Sequence, residues 1–71
     1  MTEAKATAEL RELAIQEAIA LFEGDEPAAM RWIGTSQRGL GNHTPLGLLG
    51  TPKGIEKVRN LIGRLEHGIV S

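Results

Sequence analysis

The fold of this chain is decided by residues 32–71, which read WIGTSQRGLGNHTPLGLLGTPKGIEKVRNLIGRLEHGIVS. This stretch contains the same pair of residues twice, Thr44-Pro45 and Thr51-Pro52. In each pair the threonine hydroxyl can accept a backbone N–H, and the fixed φ of the proline suits the first position of a helix. Each pair therefore predicts the start of a helix.

The two helices predicted from these starts differ in length. The first covers residues 45–49, barely two turns, and stops at Gly50. The second covers about residues 52–66, and the pair His67-Gly68 resembles a C-terminal cap. Glycine is the residue that most readily takes the left-handed conformation in which many helices end.

The longer of these helices carries an apolar stripe with the three-four spacing of one helix face. The stripe is formed by Ile55, Val58, Leu61, Ile62, Leu65 and Ile69. Gly63 interrupts the helix, where a glycine costs about 1 kcal/mol relative to alanine. We therefore expect a neighbouring segment to pack against the bare backbone at Gly63.

Two more helices are predicted on the N-terminal side. A long amphipathic helix covers about residues 3–22 and stops near Gly24, with apolar positions at Leu10, Leu13, Ala14, Ala18, Leu21 and Phe22. Asp25 is placed as the N-cap of a short helix that has Pro27 in its first turn and ends at Gly34.

A turn-rich connector over about residues 35–44 links these halves, with one short helical turn around residues 36–40. No segment alternates apolar and polar residues as a strand does. The predicted fold is all-α, a small bundle of about four to five short helices with a long N-terminal helix. The predicted core consists of Phe22, Trp32, Leu40, Leu48, Leu49, Val58 and Leu61.

Composition restricts the function. With 71 residues, no cysteine and only His43 and His67 as imidazoles, the chain offers no thiolate or histidine cluster for a metal, so we expect no metal and no cofactor. The glycines of residues 34–41 lack the Gly-Lys-Ser/Thr ending of a phosphate loop. We therefore expect no enzyme activity. The acidic, alanine-rich N-terminus and the short apolar runs predict a cytoplasmic protein without a secretory signal or membrane span.

The charges are unevenly distributed. Residues 1–26 hold seven acids and two bases, a net charge of −5, whereas residues 27–71 hold six bases and two acids, a net charge of +4. The basic part leaves a DNA-binding regulatory module open as an alternative function. A second alternative is a self-associating domain, a homodimer formed through Leu10, Leu13, Leu21 and Phe22.

The order of these elements resembles the toxin-binding domain of the Xre/MbcA/ParS antitoxin family. The shared pattern is a small helix with a tryptophan, a Leu-Gly connector, Thr-Pro-x-x-Leu-Leu, Thr-Pro-x-Gly-x-x-x-Val and a closing Leu-x-x-Gly. It rests on Phe22, Ala29, Trp32, Ile33, Leu40, Thr44, Pro45, Leu48, Leu49, Thr51, Gly54, Val58, Leu61, Glu66, His67 and Gly68. The resemblance divides the chain into an N-terminal extension of the first helix, residues 1–12, and a toxin-binding domain, residues 13–71.

This resemblance implies an antitoxin that inhibits a RES-domain toxin, an enzyme class that consumes NAD. In the family the extreme C-terminus reaches towards the active-site cleft of the toxin. Carried over here, the toxin-binding residues are Arg59, Ile62, Arg64, His67, Gly68, Ile69, Val70 and Ser71. Family members commonly carry an N-terminal DNA-binding region, and only residues 1–12 precede the match, so we do not expect this chain to bind DNA by itself.

Overall fold

The computed structural model describes the backbone of residues 2–68 and the side chains of residues 6–68. Within this range the chain forms four α-helices and one 3₁₀ turn, and no strand. The only strand-like feature in this range is an isolated bridge that pairs Gln37 with His43. The all-α prediction is confirmed. The elements are α1 (Thr2–Leu21), α2 (Glu26–Ile33), the 3₁₀ turn (Arg38–Leu40), α3 (Pro45–Leu48) and α4 (Pro52–Glu66).

Local side-chain chemistry sets where the three shorter helices begin. Each has a cap whose side-chain oxygen accepts a hydrogen bond, 3.0 to 3.2 Å long, from the backbone N–H three residues on. Each also has a proline in its first turn. The capping pairs are Asp25 with Ala28, Thr44 with Gly47, and Thr51 with Gly54.

The core is aliphatic and lies around α4, which packs against α1, α3 and the 3₁₀ turn. Four of the residues predicted for the core are buried: Leu40, Leu49, Val58 and Leu61. The other three, Phe22, Trp32 and Leu48, are half-buried and pack against its edge. The remaining fully buried apolar residues are Ala14, Ala18, Ala29, Ile33, Ile55 and Ile62.

The core-facing side of α1 differs from the predicted one at Leu13. Ala14 and Ala18 are buried, one turn apart, and their small side chains face the core, whereas Leu13 is 48% exposed. Successive helical residues are about 100° apart, so Leu13 falls outside the face centred on Ala14. Leu10, Leu21 and Phe22 pack partly against the core. Three of the four side chains assigned to a homodimer face are thus partly buried against the core of the same chain.

The close backbone contact occurs at Gly54 and not at Gly63. No atom of the described chain lies within 4 Å of the position that a Cβ would take at Gly63, so the expected packing there is absent. A Cβ at Gly54, by contrast, would collide with the carbonyl oxygen of Leu48 and lie 3.0 Å from the Thr51 hydroxyl. The first turn of α4 crosses the end of α3 so closely that only glycine fits.

Candidate functional site

The candidate site is built on α4, which carries three of the eight predicted binding residues, and on the residues that follow it. Four residues of its apolar stripe are buried, Ile55, Val58, Leu61 and Ile62, and Ile62 is only 1% exposed. Ile62 was predicted to contact a partner, but in this fold its side chain is enclosed by the core. Its role is to anchor the helix whose other faces reach the surface.

Arg59 is held by an ion pair within the chain. Its Nε donates to Glu17 Oε1 at 3.0 Å and its second guanidinium nitrogen donates to Glu17 Oε2 at 2.9 Å, a two-pronged contact between α4 and α1. The hydrogen bond and the negative charge of Glu17 raise the pKa of Arg59 above its ordinary value. Both side chains remain more than a third exposed, at 39% and 35%. Arg59 therefore links α4 to α1.

The end of α4 is the most accessible part of the predicted set. Arg64, His67 and Gly68 are exposed. The helix ends at His67, whose N–H bonds the Gly63 carbonyl, and Gly68 takes a left-handed conformation with a φ of 62°. The predicted binding residues Ile69, Val70 and Ser71 lie outside the described residues.

Two exposed leucines add apolar surface at separate elements. Leu65, in the last turn of α4, belongs by its spacing to the apolar stripe and is 46% exposed. Leu46, in α3, is 62% exposed. Exposed patches of large apolar side chains often mark the contact surfaces of protein complexes. Leu65 lies within three residues of the predicted contacts His67 and Gly68.

A groove of about 610 Å³ runs between α1 and α4. Leu10 and Ile55 are among its apolar lining residues, and the Glu17–Arg59 pair is part of its wall. Its other charged lining residues carry both signs: Lys53, Glu56 and Glu66. The mixed charge gives this groove no preference for a ligand of one sign.

A second depression, of about 460 Å³, lies between the connector and an adjacent face of α4, and Asn60 lines both hollows. We call it the basic depression and define it by His43, Lys57, Asn60 and Arg64, with Gly39, Leu40 and Gly41 as its remaining lining. No acidic residue lines it. Of these residues the sequence prediction included Arg64 as a contact and Leu40 as core, and did not join His43 to α4.

The aromatic pair supports the corner between α1 and α2. The ring centroids of Phe22 and Trp32 are 6.3 Å apart, and the rings are inclined at 53°. The Gln37 side-chain amide donates to the Trp32 carbonyl at 3.2 Å and to the Thr35 carbonyl at 3.0 Å. These bonds attach the connector to the end of α2 and so fix its course towards α4.

Two long-range contacts were not predicted from the sequence. One is the Glu17–Arg59 pair, and the other joins Arg11 Nε to the Leu49 carbonyl at 3.1 Å. No motif marks either contact, because the partners are 42 and 38 residues apart. A charge-pairing rule could have found the first only if the packing of α1 on α4 were already known.

Within residues 2–68, no three histidine, aspartate or glutamate side chains gather closely enough to hold a metal ion. In the same range no helix combines the length and apolar character needed to cross a bilayer.

Comparison with known proteins gives a consistent result. Residues 17–68 match the family model described as the antitoxin Xre/MbcA/ParS C-terminal toxin-binding domain. The chain is 52% identical over 54 residues to a protein named Antitoxin Xre from Photorhabdus laumondii, and 48% identical over 54 residues to one of the same name from Yersinia enterocolitica. Each match covers 76% of this chain and 36% of the relative, so the chain matches about a third of the length of these relatives. No solved structure matches the chain significantly.

Proposed function

Because this chain belongs to the Xre/MbcA/ParS antitoxin C-terminal toxin-binding domain family, we propose that it is the toxin-binding part of an antitoxin. It acts as a protein inhibitor and performs no catalysis of its own. The observation that carries the proposal is the family match, which extends from the last five residues of α1 through the whole of α4. The names of the two curated relatives agree with it.

The proposal extends to the class of toxin. We propose a RES-domain enzyme that consumes NAD, on the basis of the sequence pattern centred on the two Thr-Pro starts. The antitoxin and its target meet in the cytoplasm, where such an enzyme finds its substrate. Inhibition then requires only that the antitoxin cover the active site, a task for which a small rigid helical domain suffices.

The proposed contact surface is the exposed end of α4 together with residues 67–71. Three features of the described chain support this placement. Residues 64–68 are exposed, Leu65 presents apolar surface there, and the Thr51 cap and the buried residues of the stripe hold α4 against the core. A helix that is already folded loses little conformational entropy on binding.

The proposal is tested by measuring NAD consumption by a RES-domain enzyme with and without this chain. The intact chain is expected to bind the enzyme and stop NAD loss. Deletion of residues 69–71 is expected to abolish inhibition. Leu65→Ser is expected to weaken binding about tenfold, which corresponds to about 1.4 kcal/mol of lost apolar burial.

A matched control separates a local effect from a general one. Leu46→Ser removes an equally large and more exposed leucine on α3, away from the proposed surface, and is expected to leave inhibition unchanged. Absence of binding by the intact chain would refute the proposed function. Full inhibition by the chain without residues 69–71 would instead refute only the role of the tail.

A further inference from the structure

The four basic residues of α4 differ in their partners. Arg59 points towards α1 and is neutralised by Glu17. Lys53, Lys57 and Arg64 are exposed, and Lys57 and Arg64 line the basic depression with Asn60 between them. Among the side chains of residues 6–68, those of Lys57, Asn60 and Arg64 form no hydrogen bond or ion pair. The basic depression thus contains two exposed cations that nothing in the described fold compensates.

The opposite wall of the basic depression is a preorganised loop. The Gln37 N–H bonds the His43 carbonyl at 3.1 Å, and the Gln37 carbonyl accepts the N–H groups of Leu40 and Asn42 at 3.0 and 2.9 Å. Gly41 and Asn42 are both left-handed, with φ values of 69° and 68°. These bonds hold the backbone of the loop, including that of His43, in place. The imidazole of His43 can donate a hydrogen bond into the depression.

Close packing brings this loop against α4. A Cβ at Gly39 would lie 2.8 Å from a Leu61 methyl carbon, so the connector contacts the helix almost through its bare backbone. The loop therefore does not cover this face of α4, and the side chains of Lys57, Asn60 and Arg64 are exposed to solvent. The site combines two cations, an amide and an imidazole around a shallow hollow.

We propose that the basic depression binds acidic side chains on the surface of the toxin, an inference that rests on the proposed function. An arginine guanidinium bonds a carboxylate with two parallel N–H groups, and a lysine ammonium and an asparagine amide add donors. The lining contains donors and cations but no carboxylate that would repel such a partner.

Charge favours a protein partner over nucleic acid. The whole chain has a net charge of −1, and α1 and its C-terminal turn carry exposed carboxylates at Glu9, Glu12, Glu23 and Asp25. A DNA-binding domain usually has a strongly basic surface that contacts many phosphates. The two cations of the basic depression suit a few carboxylates on a protein better than the continuous charge of a duplex.

The test measures association and dissociation rates of the chain with the RES-domain toxin that it inhibits, at low and high salt. Lys57→Glu and Arg64→Glu are each expected to slow association about tenfold at low salt and to change dissociation less. The difference is expected to disappear near 1 M salt, where the screening length is about 3 Å. Lys57→Arg keeps the charge and is expected to bind like the original chain.

Arg31→Glu is the matched control, since it makes the same change of two charge units at an exposed position on α2 outside the basic depression. It is expected to leave the association rate within about twofold of the original. If Arg31→Glu and Lys57→Glu slow association equally, the inference is overturned and only net charge matters.

Two further outcomes are distinguished. If the original chain binds the toxin but Lys57→Glu and Arg64→Glu bind with unchanged rates, the inference fails while the proposed function stands. If the original chain does not bind the toxin at all, both fail. A parallel mobility-shift assay uses duplex DNA from the upstream region at low salt. Retardation that Lys57→Glu abolishes would assign the depression to nucleic acid and overturn the proposal.

Discussion

The two glycines of α4 are expected to respond in opposite directions to the same substitution. Both lie in one helix, and alanine at a helical position is favoured over glycine by about 1 kcal/mol. At Gly63 a new methyl group meets no atom within 4 Å. At Gly54 the methyl group meets the Leu48 carbonyl, which is backbone and cannot rotate away. The atoms that surround each glycine therefore decide whether alanine stabilises or destabilises the fold at that position.

The magnitude at Gly54 follows from three contributions. The helix preference for alanine contributes about 1 kcal/mol of stability. Overpacking against rigid backbone costs about 3 kcal/mol. Displacing α3 from α4 also disturbs the Thr51 cap, which contributes about 1 kcal/mol. Gly54→Ala is thus expected to lower the free energy of unfolding by about 3 kcal/mol, and Gly63→Ala to raise it by about 1 kcal/mol.

Urea and thermal unfolding followed by helical circular dichroism measure both effects. For a chain of this size 1 kcal/mol shifts Tm by about 4–8 °C, so Gly63→Ala should raise Tm by that amount and Gly54→Ala lower it by at least about 12 °C. If the slope of the unfolding free energy against urea concentration is unchanged, both variants unfold in the same way as the original chain. Equal stabilisation by the two substitutions would refute the close approach of α3 and α4.

Two other substitution sets test the packing of α1. Glu17→Gln is expected to lower the free energy of unfolding by up to about 1 kcal/mol in low salt and by less in about 1 M salt, because the Arg59 pair is partly exposed. Urea titrations at the two salt concentrations measure both losses. Equal losses would exclude an ionic contribution from the pair. Leu13→Gln is expected to change stability by less than about 0.5 kcal/mol. Ala18→Leu is expected to cost about 1–3 kcal/mol, and a reversed order of these two in thermal unfolding would place the core face of α1 elsewhere.

The helix starts were predictable because they depend on neighbours in the chain. Thr44, Thr51 and Asp25 each bond a backbone N–H only three residues away, and proline fixes its own φ. The aliphatic stripe of α4 was predictable for the same reason, since its spacing is a property of one helix. Leu65 marks the limit of this reasoning, because it fits the spacing and yet is 46% exposed.

The site could be predicted less completely than the helices. The sequence indicated the exposed basic residue Arg64 and the cap at His67, but it also selected Ile62, which is buried. It indicated Arg59 without its partner Glu17. Burial and pairing depend on which element covers each face, and the spacing of residues within one helix does not contain that information.

The sequence by itself determined the helical class, the helix boundaries and the family pattern, because capping, proline geometry and glycine stops act over three or four residues. Only the tertiary structure decided which glycine is enclosed, which face of α1 is buried and that Glu17 meets Arg59 across 42 residues. It also decided that His43 joins Lys57 and Arg64 around one hollow. These arrangements arise when separate helices share one core, and the contacts between them have no local signature in the chain.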